Sequence, residues 1–400
     1  MTAPPRATAS RGTQADAALL TAMMTLAFAG VTLTTPLLPT YQAAWSLSVF
    51  ETTALFAAYV PGVVFSLLML GGLADVVGAR VTLIIGAVLC ASATLIALLA
   101  QEPLHLIVAR IVMGVGVGLI PAATLAGIGA AGVPPVWGAR LVSIATTTGI
   151  AAGLLLGAST AGLGPAGAQT VYLAVFAPIA VWTLARRNVH EPRRPVARRA
   201  TVRLAVPSRG RRHFALALSV VALAFTGMGL LAGLGPLFAA GAAASGTVYG
   251  AVGAAVAYML SGLTQLLIAV RFAGPRTGGV VLASGLAVLA VGVGWSSRGA
   301  LLIAAVCIGI GNGLLFPASF RLADRLAPPG QKAGVISAYY LAMYAGIAIP
   351  LLGFGALTDL TSVGTATSVF AVVVGVLAVV LTGRGLEPEL DDVSNRRGAA

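Results

Sequence analysis

One basic side chain lies inside a long apolar stretch of this sequence. Arg110 stands in the segment LHLIVARIVMGVGVGLIPAAT, which contains no acid and no other arginine or lysine. A guanidinium within an apolar helix is costly in a bilayer unless it faces water or a partner. Arg110 therefore either binds an anionic group of a substrate or tunes a proton site, or it pairs with backbone carbonyls and is structural.

Acids are scarce in this chain, and Glu51 is the one that we consider for proton coupling. It lies at the start of an apolar segment that reaches residue 72. A coupling group must exchange protons with water, and its pKa has to be set by burial or by a neighbouring charge. The alternative is a structural carboxylate near a helix N-terminus, where the helix dipole stabilises it.

Neutral polar and aromatic side chains recur at helical spacing in other apolar segments. Tyr258, Ser261 and Gln265, for example, share one face of a helix. The candidate substrate or coupling residues of this kind are Thr32, Thr35, Tyr59, Tyr258, Gln265, Asn312, Tyr340 and Tyr344. The alternative for each of them is an interhelical hydrogen bond, worth roughly 0.5–1 kcal/mol.

Other chemistry has no support in the sequence. No cluster of histidine, cysteine and carboxylate is found within the apolar segments, and no G-x-x-x-x-G-K loop for a nucleotide phosphate is present. We therefore expect no catalytic residue, no metal and no cofactor, and we do not expect an enzyme.

Composition identifies the elements that must position these residues. Of 400 residues, 58% are hydrophobic and only 9% are charged, and the mean hydropathy is +0.98. A soluble domain or a nucleic-acid-binding module needs far more charge. Continuous apolar runs of about twenty residues indicate membrane-spanning helices rather than alternating barrel strands. The fold class that we expect is an all-α polytopic membrane protein.

Hydropathy predicts twelve spans. Their limits are 17–39, 50–72, 81–100, 103–127, 138–162, 169–187, 213–239, 246–270, 277–296, 300–322, 333–357 and 363–383. With the N-terminus in the cytoplasm, all but two of the 24 Lys and Arg residues fall in inner segments. The positive-inside rule therefore predicts that both termini are cytoplasmic.

The two halves of the sequence resemble each other. Gly114, Gly116 and Gly118 in span four recur 195 positions later as Gly309, Gly311 and Gly313 in span ten. This repeat predicts two pseudo-symmetric six-helix bundles, a pattern associated with alternating access. The expected division is a cytoplasmic tail (1–16), a first half (17–187), an arginine-rich linker (188–212), a second half (213–383) and a cytoplasmic tail (384–400).

The loop between spans two and three carries a family resemblance. It reads GGLADVVGAR, and its Gly71, Leu73, Asp75, Gly78 and Arg80 resemble the G-x-L-a-D-r-x-G-r-r motif of the major facilitator superfamily. Val76 and Ala79 replace basic positions of that motif. Arg110, Gly114 and Gly118 resemble the R-x-x-x-G-x-x-x-G pattern in span four of the same family.

The resemblance implies roles for these residues. It implies that spans one, four, seven and ten line a cavity, and that Gly71, Asp75, Gly78 and Arg80 form a gating loop. In the family the loop aspartate latches the halves together on the cytoplasmic side, here against the start of span eleven. One departure concerns the proline that proton-driven drug antiporters of this superfamily usually carry in span five, where this chain has Leu154.

The function that we expect is secondary active transport by alternating access, most simply the export of small amphipathic molecules coupled to protons. The alternative is a proton symporter that imports a small polar or anionic solute. A non-transporting membrane receptor and a membrane-embedded enzyme are the rivals from other classes. The expected partners are a small-molecule substrate, protons and the lipid bilayer, without nucleic acid, and we expect a monomer in a bacterial plasma membrane.

Overall fold

The computed structural model describes residues 11–185, 204–208, 210–240, 246–267, 274–328 and 330–383. These residues include twelve helical segments that are long and apolar enough to span a membrane. We number them as spans one to twelve: Gln14–Trp45, Val49–Met69, Ala79–Leu98, Pro103–Ala130, Pro135–Ser159, Ala161–Ala185, Arg211–Ala239, Gly246–Leu267, Pro275–Gly294, Arg298–Leu326, Lys332–Leu360 and Val363–Gly383. The predicted all-α class is confirmed. Residues 1–10 of the predicted N-terminal tail, most of the predicted linker and the whole predicted C-terminal tail lie outside the described residues.

Two of the predicted limits differ clearly from the structure, and proline is involved in both. Span one continues to Trp45 because Pro39 occupies the first turn of a short helix, where its missing N–H costs nothing. Span six begins at Ala161 rather than at residue 169. A 3-10 turn, Ala161–Leu163, precedes the helix Gly164–Ala185, and Pro165 lies in the first turn of that helix.

Spans one and two are each interrupted. Span one consists of helix α1 (Arg11–Leu33), a 3-10 turn (Thr35–Leu37) and helix α2 (Leu38–Trp45). Span two consists of helices α3 (Val49–Ala57) and α4 (Tyr59–Met69), and the short helix α5 (Leu73–Val77) follows it. Pro36 lies at the first interruption and Pro61 in the first turn of α4. Proline lacks an N–H and disfavours helical geometry in the residue before it, which accounts for the break in span one.

Contacts divide the chain into two compact units. The first unit comprises 1–34 and 61–202, and the second comprises 35–60 and 203–400. The chain therefore passes from one unit to the other at the two interruptions near Pro36 and Pro61. The predicted six-helix halves stay a prediction, because contacts assign the outer parts of spans one and two to the second unit.

The glycine repeat has the same packing role in both units. In the first unit, a Cβ on Gly118 would lie 2.7 Å from the Cβ of Ser66, and in the second unit a Cβ on Gly313 would lie 2.7 Å from the Ser261 carbonyl oxygen. Ser66 and Ser261 are themselves 195 positions apart. These glycines let spans four and ten approach spans two and eight, as small residues do in membrane helices.

We predict that Gly309→Ala destabilises the second unit. The new Cβ would overlap the backbone of Ala257 in span eight, and overpacking of this kind costs about 1–3 kcal/mol. Gly253→Ala is the matched control at the same pair of spans, since its Cβ would lie 3.8 Å from Ala305. The free energy of unfolding in mixed micelles is the measurement, and an equal loss in both variants would contradict this account of the repeat.

Candidate functional site

Arg110 is held by the backbone of span one. Its side chain is only 3% exposed, and one terminal nitrogen, Nη1, donates a hydrogen bond to the carbonyl oxygen of Val31. Val31 lies in the last turn of α1, where carbonyl groups run out of intrahelical partners. The buried guanidinium therefore satisfies a backbone group next to the break in span one.

Three further hydrogen bonds fasten α1 and the residue that follows it within the first unit. Thr32 Oγ1 donates to the Ile150 carbonyl of span five at 2.8 Å, and Tyr172 of span six donates to the Leu26 carbonyl at 3.0 Å. Gln169 Nε2 donates to Thr34 Oγ1 at 3.3 Å. Gln169 and Tyr172 are buried, and the sequence analysis missed both of them.

The second unit contains a chain of polar side chains between spans eight and ten. Gln265 Nε2 donates to Ser261 Oγ at 3.1 Å, and Ser261 Oγ donates to Asn312 Oδ1 at 2.7 Å. Asn312 is 1% exposed, and its Nδ2 has no hydrogen-bond partner within the part of the chain that the structure describes. A buried amide donor without an acceptor is costly in a protein interior and more so in a bilayer. Asn312 therefore presents an unused donor beside two polar side chains.

Tyrosines from three spans lie near this polar chain. Tyr258 is one turn before Ser261, and the hydroxyls of Tyr59 and Tyr344 are close enough to influence it electrostatically. Tyr59 and Tyr258 are both 8% exposed. Tyr340 packs against Phe320 and Tyr339, with ring centroids 6.4 and 5.9 Å apart. The structure thus brings four of the predicted tyrosines into the second unit, together with Gln265 and Asn312.

Two predicted residues lie in the part of the chain that follows the first break. Thr35 is 1% exposed within the 3-10 turn, and none of the described residues forms a hydrogen bond with its hydroxyl. Glu51 is exposed and completes a capping box at the start of α3. Its carboxylate accepts from the Ser48 N–H at 2.8 Å, while Ser48 Oγ accepts from the Glu51 N–H at 3.1 Å. The Ser48-x-x-Glu51 spacing is the sequence signal for this role.

The predicted gating loop has a defined geometry. Gly78 has a φ of 90°, a conformation that favours glycine, and Gly71 and Asp75 are exposed. Arg80 donates to the Leu184 carbonyl at the end of span six at 3.1 Å, and Arg276 donates to the Gly383 carbonyl at the end of span twelve at 3.0 Å. Both arginines thus satisfy carbonyls at a helix C-terminus. The latch of Asp75 on span eleven stays a prediction.

Asp16 is a carboxylate that the sequence analysis did not consider. It precedes the predicted start of span one, but α1 already begins at Arg11 and Asp16 is only 6% exposed. Among the residues that the structure describes, Asp16 is the one acid that is buried. A buried carboxylate near a membrane boundary is a candidate for proton exchange.

Neutral hydrogen-bonding groups and aromatic rings dominate the chemistry of the predicted residues. Within the described ranges, no group of three or more histidine, cysteine, aspartate or glutamate residues is arranged to hold a metal ion. A set of amide, hydroxyl and phenol groups among apolar helices can bind an amphipathic molecule, but it cannot supply a nucleophile with its base.

Comparison with known proteins gives one family and a common fold. The model of the Major Facilitator Superfamily matches residues 20–350. The crystal structure of the nucleoside transporter NupG is similar with a TM-score of 0.71 and 16% identity, over 92% of this chain and 98% of that one. A POT family transporter in complex with 5-aminolevulinic acid gives 0.74 and 13%, over 93% and 94%. Comparison with curated proteins finds no matching sequence.

A third structure gives the same result. A bacterial homolog to the human lysosomal transporter Spinster, in an inward-facing and occupied conformation, is similar with a TM-score of 0.68 and 17% identity. The match covers 92% of this chain and 95% of that one. The TM-scores show that these proteins share the fold of this chain, and at identities this low the similarity shows the fold alone.

We predict that Glu51 acts through its hydrogen bond and not through its charge. Glutamine also completes a capping box, so Glu51→Gln should change the free energy of unfolding by less than about 0.5 kcal/mol. Glu51→Ala removes the bond to the Ser48 N–H and should cost about 1 kcal/mol. Denaturant titration in detergent measures both values, and equal losses for the two variants would contradict a capping role.

Proposed function

Because the chain belongs to the Major Facilitator Superfamily, and is therefore a multi-pass membrane transporter rather than an enzyme, we propose that it exports small amphipathic molecules by alternating access. The site is the polar and aromatic set of the second unit, formed by Tyr59, Tyr258, Gln265, Asn312 and Tyr344. Export is driven by protons that move in the opposite direction.

The unsatisfied amide of Asn312 is the observation that carries this proposal. Its Oδ1 already accepts from Ser261, and Nδ2 has no acceptor among the described residues, so it is left to donate to a bound molecule. A substrate carbonyl or ether oxygen would fill this position. The neighbouring tyrosine rings favour an apolar, planar part of the same molecule.

Proton coupling needs a titratable group, and Asp16 and Glu51 are the candidates. Glu51 is exposed and bonded within its capping box, whereas Asp16 is buried in α1. A coupling carboxylate has to be shielded from bulk water during transport, and of these two acids only Asp16 is buried. We therefore favour Asp16 as the coupling residue. Arg110, three spans later in the sequence, belongs to the same unit and tunes it.

The second candidate function is import of a small polar or anionic solute, and Arg110 favours it. A buried guanidinium that releases the Val31 carbonyl has a planar set of donors suited to a carboxylate. The charge distribution supports cytoplasmic termini for either direction of transport. We propose a monomer in a bacterial plasma membrane for both functions.

The test compares flux through proteoliposomes for neutral amphipathic and for anionic compounds, with a pH gradient of either sign. For the export proposal, Asn312→Ala should lower flux of neutral compounds about tenfold, since a hydrogen bond to a buried polar group is lost. Ser319→Ala is the matched control, because Ser319 is equally buried in span ten but bonded to the Leu315 carbonyl.

Three outcomes separate the proposals. Flux of neutral compounds against an inward proton gradient, lost in Asn312→Ala, supports export. Flux of anionic compounds with the proton gradient, lost in Arg110→Lys and retained in Asn312→Ala, favours the importer. Equal flux in Asn312→Ala, Ser319→Ala and the parent protein would contradict the assignment of the site to Asn312.

A further inference from the structure

The end of span eleven contacts the start of α3 through one carboxylate. Asp359 Oδ1 accepts from the Val49 N–H at 2.9 Å, and Asp359 Oδ2 accepts from the Phe50 N–H at 3.0 Å. Asp359 is separated from Val49 by 310 positions, and all three residues belong to the second unit. The end of span eleven and the start of α3 both lie on the side of the membrane that the charge distribution predicts to be outer.

Asp359 binds the two backbone N–H groups at the start of α3 that have no partner in the adjacent sequence. A helix begins with four N–H groups that have no intrahelical partner. At α3 these four belong to Ser48, Val49, Phe50 and Glu51, and the capping box satisfies two of them: the Glu51 carboxylate accepts from the Ser48 N–H, and Ser48 Oγ accepts from the Glu51 N–H. The remaining two N–H groups, of Val49 and Phe50, are therefore satisfied by a side chain from another span.

The position of Asp359 in its own helix is unfavourable. It is the second-to-last residue of Lys332–Leu360, where the helix dipole is negative and repels an anion. The N-terminus of α3 carries the opposite partial charge and compensates for this cost. A carboxylate at this position is therefore explained by its contact with α3 and not by the stability of span eleven alone.

Gly355, one turn before Asp359, permits the contact. A Cβ on Gly355 would lie 2.8 Å from the Cα of Phe50 and would overlap the Thr53 hydroxyl. Gly353 does not face α3, since its nearest neighbour is a ring carbon of Phe370 at 3.7 Å. Span eleven thus presents a glycine and a carboxylate on the face that packs against α3.

Interruptions flank the segment that Asp359 holds. The part of the chain from Thr35 to Val60, which contains α2 and α3, begins at the break beside Pro36 and ends next to Pro61. Broken helices bend at such points more readily than continuous ones. A segment with interruptions at both ends can pivot if its contact with span eleven is released.

We propose that Asp359 and the N-terminus of α3 form an outer latch, which holds the predicted outer ends of spans two and eleven together and opens when the transport cavity opens to that side. The inference rests on alternating access, which is part of the proposed function. The latch has no counterpart in the repeat, because the position 195 residues before Asp359 is Gly164. It is therefore a specific feature of the span two and span eleven pair.

A reporter for the latch is available on span seven. Leu234 is 2% exposed and lines a cavity of about 380 Å³, which is also bordered by Gln42, Val49 and Thr52. After Cys90 and Cys307 are replaced by serine, Leu234→Cys gives a single thiol whose reaction with a maleimide can be timed. Purified protein in lipid nanodiscs exposes both faces, so the result does not depend on orientation.

Loss of the latch should increase labelling of Leu234→Cys. We expect Asp359→Ala to raise the rate about tenfold, because two hydrogen bonds to a charged group are removed from the closed state. Asp359→Asn should have a smaller effect, since its amide oxygen still accepts a hydrogen bond. Glu102→Gln is the matched control, because it removes an exposed acid on the same predicted side and should leave the rate unchanged.

A covalent latch distinguishes opening from unfolding. In the Val49→Cys, Asp359→Cys variant, with the reporter at Leu234 omitted, oxidation should stop flux in proteoliposomes and reduction should restore it. Unchanged labelling in folded Asp359→Ala, or full flux through the oxidised variant, would overturn the proposal. Labelling requires no substrate, so failure of the export assignment would not alter this result.

Discussion

A break in the first span at Thr34–Pro36 sets a constraint on the surrounding structure. A bilayer supplies no water to the carbonyl groups that such a break leaves open, so side chains must bind them. Arg110 donates to the Val31 carbonyl, which is one of these groups, and Tyr172 adds a hydrogen bond to the Leu26 carbonyl further inside α1. A costly buried cation is tolerated in span four because its position provides this hydrogen bond.

The same requirement explains other contacts at helix ends. Arg80 and Arg276 bind the last carbonyls of spans six and twelve, and Asp359 binds the first N–H groups of α3. In each case a charged side chain meets the helix terminus whose dipole has the opposite sign. Not every buried polar atom is satisfied in this way: among the described residues, the Asn312 Nδ2 and the Thr35 hydroxyl have no hydrogen-bond partner. A transporter that satisfied every buried donor internally would have none left for a substrate.

Spans and the repeat could be predicted because they depend on local sequence. Continuous apolar runs identify the twelve spans, and the glycines at matched positions identify the repeat, whereas the contact of Gly118 with Ser66 came from the structure. The partners of α1 could not be predicted, since the rotation of span six about its own axis decides whether Gln169 and Tyr172 face α1. The contact of Asp359 with Val49 joins residues 310 positions apart. Asp16 was missed because hydropathy placed the start of span one after it.

The central claim is that Arg110 compensates for the break at Pro36, and a double-mutant cycle tests it most directly. The free energy of unfolding is measured in mixed micelles for Arg110→Ala, Pro36→Ala and the double variant. Pro36→Ala lets α1 continue and satisfy its own carbonyls, so the cost of Arg110→Ala should fall by about 1 kcal/mol in that background. Additive costs, with no coupling between the two positions, would contradict the account.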